Sequence, residues 1–133
     1  MIGAGGCLCG SVRFELRALP TYVCICHCKS CRKATGGAMV TWVTFRVSSV
    51  EIMRGSLENR QSSPGVLRGH CSRCGTSISY RHERRPHDID LTLASMDDAM
   101  AFKPIAHIWE EDKLPWLIIG DELPQYQKTV SDN

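Results

Sequence analysis

Cys26-His27-Cys28-Lys29-Ser30-Cys31 places three sulfurs within six residues, a density that core packing does not call for. Thiolates bind zinc at about 2.3 Å, so two of them on one tetrahedral ion sit roughly 3.8 Å apart, a separation that CxC and CxxC segments reach at little cost in chain entropy. In an extended segment residues two apart share a face, so Cys26 and Cys28 point together and His27 points away from them. Cys31 joins the pair if Lys29 and Ser30 form a tight turn. Three protein sulfurs leave the fourth tetrahedral position to water or substrate, which is the habit of catalytic rather than structural zinc. Cys24 has the same strand parity, but at about 3.3 Å of rise per residue it lies roughly 13 Å from Cys28, too far to share the ion, and it reads as a small buried apolar residue.

A second set of sulfurs flanks this segment. Gly5-Gly6-Cys7-Leu8-Cys9-Gly10 sets a CxC between glycines that let the backbone bend closely. Cys71-Ser72-Arg73-Cys74-Gly75 is a CxxC with a trailing glycine that suits a tight knuckle. A redox dithiol would want a helix starting at the motif, whereas Thr76-Ser77-Ile78-Ser79-Tyr80 looks like a strand, so metal is the better reading. Cys7, Cys9, Cys71 and Cys74 together are enough for one closed tetrahedral site joining the N-terminal strand to mid-chain.

The chain of 133 residues fits a single domain, 1–133, long enough to bury a core without needing metal for that alone. A formal net charge of +2 with 23% charged residues is too mild to predict a polyanionic partner, so nucleic acid is not the expected ligand. Eight cysteines would also suit a secreted disulfide scaffold. Met1-Ile2-Gly3-Ala4-Gly5-Gly6 shows no basic and then apolar signal pattern, so the expectation is a reducing, cytoplasmic setting in which thiols serve metal or chemistry. No run approaches the ~18 apolar residues of a membrane span.

Alternation of apolar and polar residues predicts strands over Ser11–Leu16 and Ile89–Ala94, and β-rich runs read as strands over Thr21–Cys26, Ala38–Phe45 and Thr76–Tyr80. Val50–Met53 and Leu57–Arg60, separated by Gly55-Ser56, suggest a hairpin, and Ser62-Ser63-Pro64-Gly65 a further turn. Arg32–Gly37 has room for one helical turn stopped by glycine, and Asp97–Phe102 for another. Arg81–His87 reads as a solvated, charged loop. Ile105–Trp109 and Leu114–Ile119 are expected to return apolar bulk to the core, with Met39, Met53, Met96 and Met100 filling space there. His107, in its apolar stretch, reads as a satisfied core imidazole, and His70 likewise. The polar end, roughly 127–133, is expected to be loose.

The blocks GGCLCG, CHCKSCRKATG, SSPGVLRGHCSRCG, LASMDD and HIWEEDKLPW, spread from residue 5 to about residue 117, resemble the glutathione-dependent formaldehyde-activating enzyme family, also called the centromere protein V/GFA domain. That resemblance implies a mainly β, Mss4-like fold of antiparallel strands built around zinc, with two metal sites. It assigns Cys7, Cys9, Cys71 and Cys74 to structural zinc and Cys26, Cys28 and Cys31 to the zinc of the active site, where Cys24 has no ligand counterpart. Three-ligand sites bind less tightly, so partial occupancy of the second is expected on isolation. The implied activity joins formaldehyde to the sulfur of glutathione, a carbon-sulfur lyase reaction, with a small thiol and an aldehyde as partners. Three anionic sulfurs make zinc a feeble Lewis acid, so presenting a thiolate nucleophile is the favoured mechanism. The rival reading is a zinc-stabilised protein-binding module without catalysis.

Overall fold

The alternation expected from the sequence organises two sheets. In the computed structural model, which describes residues 1–129, the strands are β1 (Gly3–Gly6), β2 (Arg13–Leu16), β3 (Tyr22–Cys26), β4 (Val40–Arg46), β5 (Val50–Arg54), β6 (Leu57–Ser63), β7 (Val66–Cys71), β8 (Ser77–His82), β9 (Asp88–Thr92) and β10 (Ala106–Ile108). Among the described residues one α-helix, α1 (Lys29–Thr35), lies between β3 and β4, and short 3-10 turns occur elsewhere. A three-stranded sheet runs β1-β2-β5, and a seven-stranded sheet runs β10-β3-β4-β9-β8-β7-β6. Neighbours are antiparallel except β10, which lies parallel to β3 with Ala106 opposite Cys24 and Ile108 opposite Cys26.

The two faces of the larger sheet have different work. Val23, Val43, Phe45 and Leu91 project towards the smaller sheet and pack with Val12, Phe14 and Leu16, which are at most 2% exposed. Burying side chains of that size contributes roughly 2 kcal/mol apiece. One residue along each strand, the side chains reach the opposite face. There Cys24, Cys26 and Cys31 pack with Val40 and Trp42, and Tyr22, Tyr80 and Trp109 close around them. The segment Cys26–Cys31 is therefore carried on the outer face of the sandwich.

Several expectations fail for identifiable reasons. β5 and β6 do not form a hairpin: β5 pairs with β2 and β6 with β7, so the chain changes sheets at Gly55, whose φ is +69°. The hairpin lies instead at the Pro64-Gly65 turn between β6 and β7. Helix α1 starts at Lys29, earlier than expected, because the Cys28 sulfur caps it. Leu114–Ile119 does not return to the core, since Trp116 is 67% and Ile118 84% exposed. Of the four methionines assigned to core space, Met96 is buried, whereas Met39, Met53 and Met100 are exposed. Backbone bonds from Trp109 to Lys128 and from Glu111 to Gln127 tie down the start of the expected loose tail. Its remainder, 130–133, lies outside the described residues.

The loop after β8 also folds back further than its charge suggests. Arg85 Nη2 lies 2.8 Å from Asp90 Oδ2, and Thr44 donates to Asp90 Oδ1 at 2.6 Å, so a buried carboxylate is satisfied from both sides. Arg85→Ala leaves that carboxylate with Thr44 alone. The expected cost is about 1–2 kcal/mol, held low by the partial exposure of Arg85. In thermal denaturation that is a fall of roughly 5 °C.

Candidate metal centres

The first cluster is built from two knuckles. After β1 the chain turns through Cys7-Leu8-Cys9-Gly10, closed by the Gly10 amide on Cys7 O at 3.1 Å with Gly10 at φ +80°. After β7 it turns through Cys71–Gly75, closed by the Gly75 amide on Cys71 O at 3.0 Å. Leu8 N–H donates to Thr76 Oγ1 at 3.0 Å and joins the two turns. Their four sulfurs lie within 4.8 Å of one another. The Cys7–Cys9 and Cys9–Cys71 separations are 3.6 and 3.8 Å, close to the edge of a zinc tetrahedron.

Polar donors surround these sulfurs and act on them unequally: against the Ser11 hydroxyl and amide, burial and the neighbouring Cys7 and Cys74 raise Cys9. Amides of Val12 and Arg73 point at Cys7 and Cys71, and Ser11 Oγ stands 3.1 Å from Cys9 and 3.2 Å from Cys71. Against the desolvation of burial, the Val12 amide and the Ser11 hydroxyl draw Cys7 down to about 7. The Thr76 hydroxyl and amide draw Cys74 to about 5. All eight cysteines are free of disulfides.

The second cluster is Cys26, Cys28 and Cys31, whose sulfurs also lie within 4.8 Å of one another. The end of β3 supplies Cys26, and the first turn of α1 brings Cys31 back beside it. That turn does what a tight turn at Lys29-Ser30 was expected to do, with the Cys31 amide donating to Cys28 Sγ at 3.2 Å. Cys26 and Cys31 are buried and Cys28 is half-buried, so solvent meets the cluster at Cys28. Among the described residues the group of mutually close ligand atoms stops at three. Cys24 stands outside it, and burial pushes its thiol up to about 12. Hydrogen bonds shared with Cys28 and Cys31 raise Cys26. The same contacts, with Arg68 beside it, hold Cys31 far below the usual thiol range.

Behind this cluster runs a line of side chains that the sequence did not disclose. His27 is fully buried, and its Nε2 lies 2.8 Å from His107 Nδ1, while His107 Nε2 lies 2.7 Å from Asp121 Oδ2. A carboxylate only accepts, so His107 carries its proton on Nε2 and receives one from His27 Nε2. The His27 ring faces away from the sulfurs, as strand parity predicted, and stacks on His107 with centroids 5.1 Å apart. Burial and the neighbouring imidazole lower the His27 pKa, keeping the ring neutral. His107 is the buried, satisfied imidazole expected of it. Trp109, at φ +55°, holds a backbone conformation unfavourable for a bulky residue and packs against the buried cluster of Cys24, Cys26, Cys31, Val40 and Trp42.

Arg68 is the other unforeseen neighbour, with Nη1 and Nη2 each 3.7 Å from Cys31 Sγ. The alternation of Val66-Leu67-Arg68-Gly69 was the available signal, since it puts Arg68 opposite Tyr80 on the face that carries the cysteines. Both clusters fit a soft divalent ion by donor type. Four sulfurs complete a tetrahedron, and three leave one position over.

The family model for the glutathione-dependent formaldehyde-activating enzyme matches residues 3–112, a span that contains all seven clustered cysteines. No curated protein matches the chain. Among solved structures, a crystal structure of a Rhodobacter sphaeroides protein is similar at a TM-score of 0.60 and 22% identity, covering 92% of this chain and 98% of that one. At that identity the likeness is one of fold. No helix among the described residues is long and apolar enough to cross a membrane.

Proposed function

From the premise that the chain belongs to the glutathione-dependent formaldehyde-activating enzyme family, we propose that it is a zinc enzyme of the carbon-sulfur lyase type, joining a small thiol to an aldehyde. Cys7, Cys9, Cys71 and Cys74 hold a structural zinc that pins the N-terminal turn to the end of β7. Cys26, Cys28 and Cys31 hold the zinc at which the chemistry occurs. The observation that carries the reading is the group of three sulfurs, two buried and one half-buried, beside a first group of four.

Zinc at the three-sulfur site supplies a place where a thiol's pKa is lowered, so that a thiolate is available at neutral pH. With glutathione and formaldehyde, the thiolate sulfur forms a bond to the carbonyl carbon, the carbonyl π pair moves to oxygen, and that oxygen takes the proton the thiol gave up. The product is S-hydroxymethylglutathione. The contribution of the chain is placement. The His27–His107–Asp121 line fixes the Cys26–Cys28 segment from behind, and Trp42, Tyr80 and Trp109 keep the sulfurs on a largely dry surface.

The test is metal analysis of freshly prepared protein together with exchange NMR of the hydroxymethyl adduct. More than one and up to two zinc per chain, with adduct exchange accelerated at least ~10-fold over the uncatalysed reaction, is expected. One zinc per chain and no acceleration would leave only the scaffold. The exposed Trp116 and Ile118 favour a second reading, a zinc-stabilised binding module, in which both zincs would be present without turnover.

A further inference from the structure

Arg68 holds an unusual position for a cation. Both terminal nitrogens of its guanidinium rest 3.7 Å from one sulfur, that of Cys31. Nε donates to Ser62 Oγ at 3.1 Å, and the guanidinium carbon lies 4.9 Å from the centroid of the Tyr80 ring. Tyr80 is the cross-strand partner of Arg68 and leans on Trp42 at 5.9 Å between centroids. The fork is thus held by a hydroxyl at one end and an aromatic face beneath it. Among the described residues its hydrogen-bonding partners are Ser62 and Cys31, with no carboxylate among them. The charge of Arg68 is directed at the three-sulfur centre.

That centre has an electrostatic difficulty. Three thiolates around a dication already leave the ensemble negative, and an incoming thiolate adds a further negative charge. A neutral fourth ligand meets no such opposition. A guanidinium on one of the sulfurs offsets the added charge and draws electron density from Cys31, which leaves the ion better able to accept a new donor. Lysine would keep the charge but lose the planar fork and the stacking on Tyr80.

Resting on the proposed role of Cys26, Cys28 and Cys31, we propose that Arg68 is the positioning residue that lets this centre accept an anionic thiolate as its fourth ligand, and so sets its selectivity for thiols over neutral ligands.

The test uses the full chain loaded with cobalt(II), whose visible bands shift when a fourth ligand changes; the four-sulfur cluster contributes a constant background. The probes are 2-mercaptoethanol and imidazole, titrated into the wild type, Arg68→Gln, Arg68→Lys and Tyr80→Leu. Arg68→Gln is expected to weaken thiol binding about tenfold, the scale of a hydrogen bond to a charged group, while imidazole affinity changes by less than about threefold. Arg68→Lys should recover part of the loss, and Tyr80→Leu should show a smaller loss of the same kind. Equal thiol affinity in wild type and Arg68→Gln overturns the proposal. So does an equal loss for both probes, which would make Arg68 a purely structural support. If Arg68→Gln fails to load the second cobalt, Tyr80→Leu decides on the same two criteria. A wild type whose bands respond to neither probe removes the open-centre reading itself, and the role of Arg68 falls with it.

Discussion

Cys71→Ser is expected to remove one equivalent of metal and to lower the melting temperature by at least ~10 °C, or to prevent folding altogether. Cys71 is 1% exposed, ends β7, and packs in the main core with Cys7. Its sulfur receives the amide of Arg73 at 3.4 Å and stands 3.2 Å from Ser11 Oγ, so the side chain is held in place at the end of the strand. Through that sulfur and Cys9, residues 62 positions apart in the chain are brought to 3.8 Å. A metal at this point closes a long loop and ties the edge of the small sheet to the end of β7, while serine offers a harder, more basic oxygen that zinc accepts poorly. Loss of one ligand from a structural zinc site is expected to cost about 3 kcal/mol or more, a large share of the ~5–15 kcal/mol typical for a domain. Circular dichroism melting beside metal analysis checks both parts. A variant that melts like the wild type with its metal content unchanged would remove the four-sulfur cluster from any structural role.

How much of this was legible in the sequence follows from the range of each signal. Strand parity and rise per residue are local, so the first separated Cys26 and Cys28 from His27 and the second placed Cys24 outside the cluster. The CxC and CxxC spacings are local too, and the two sets came together in the groups their spacing suggested. The partner of an exposed or marginal strand is not local information. Val50–Met53 and Leu57–Arg60 read equally well as a hairpin or as strands of different sheets, and the choice was made by β2 and β7 elsewhere in the chain. The apolar run Leu114–Ile119 misled for a related reason. Its flanks are already committed, with Lys113 Nζ donating to Leu117 O and Asp121 paired with His107, so the run spans a short surface path and leaves Trp116 outside. The His27–His107 contact spans 80 residues and Arg68–Cys31 spans 37, so although alternation set the face of Arg68, no short-range signature named the partner in either pair. What surrounds the sulfurs was hidden for that reason, whereas the sulfurs themselves were not.

Cys28→Ser separates the chemistry from the scaffold more cleanly than substitution at Cys26 or Cys31, which are buried in the second core cluster. Cys28 has two duties. Its sulfur accepts the Cys31 amide and caps α1, and it is the half-buried member of the three-sulfur group. Serine is among the preferred N-cap residues, so the hydroxyl can take over the first duty and α1 should keep its start. It cannot take over the second with comparable affinity, because zinc in a site of few ligands depends on soft thiolates. The expected variant is therefore folded, melting within about 3 °C of the wild type, with one metal equivalent missing. Adduct exchange should fall by about 10²-fold or to the uncatalysed rate, since the thiol no longer has an ion to lower its pKa. Cys28→Ala should lose the same metal and, with the cap gone as well, about 1 kcal/mol of stability besides. That difference between Ser and Ala isolates the cap, and what both variants lose isolates the ligand. If Cys28→Ser instead collapses as Cys71→Ser does, the three-sulfur group is a second staple of the fold; if it retains both metal and turnover, Cys28 is no ligand and the chemistry must be sought elsewhere.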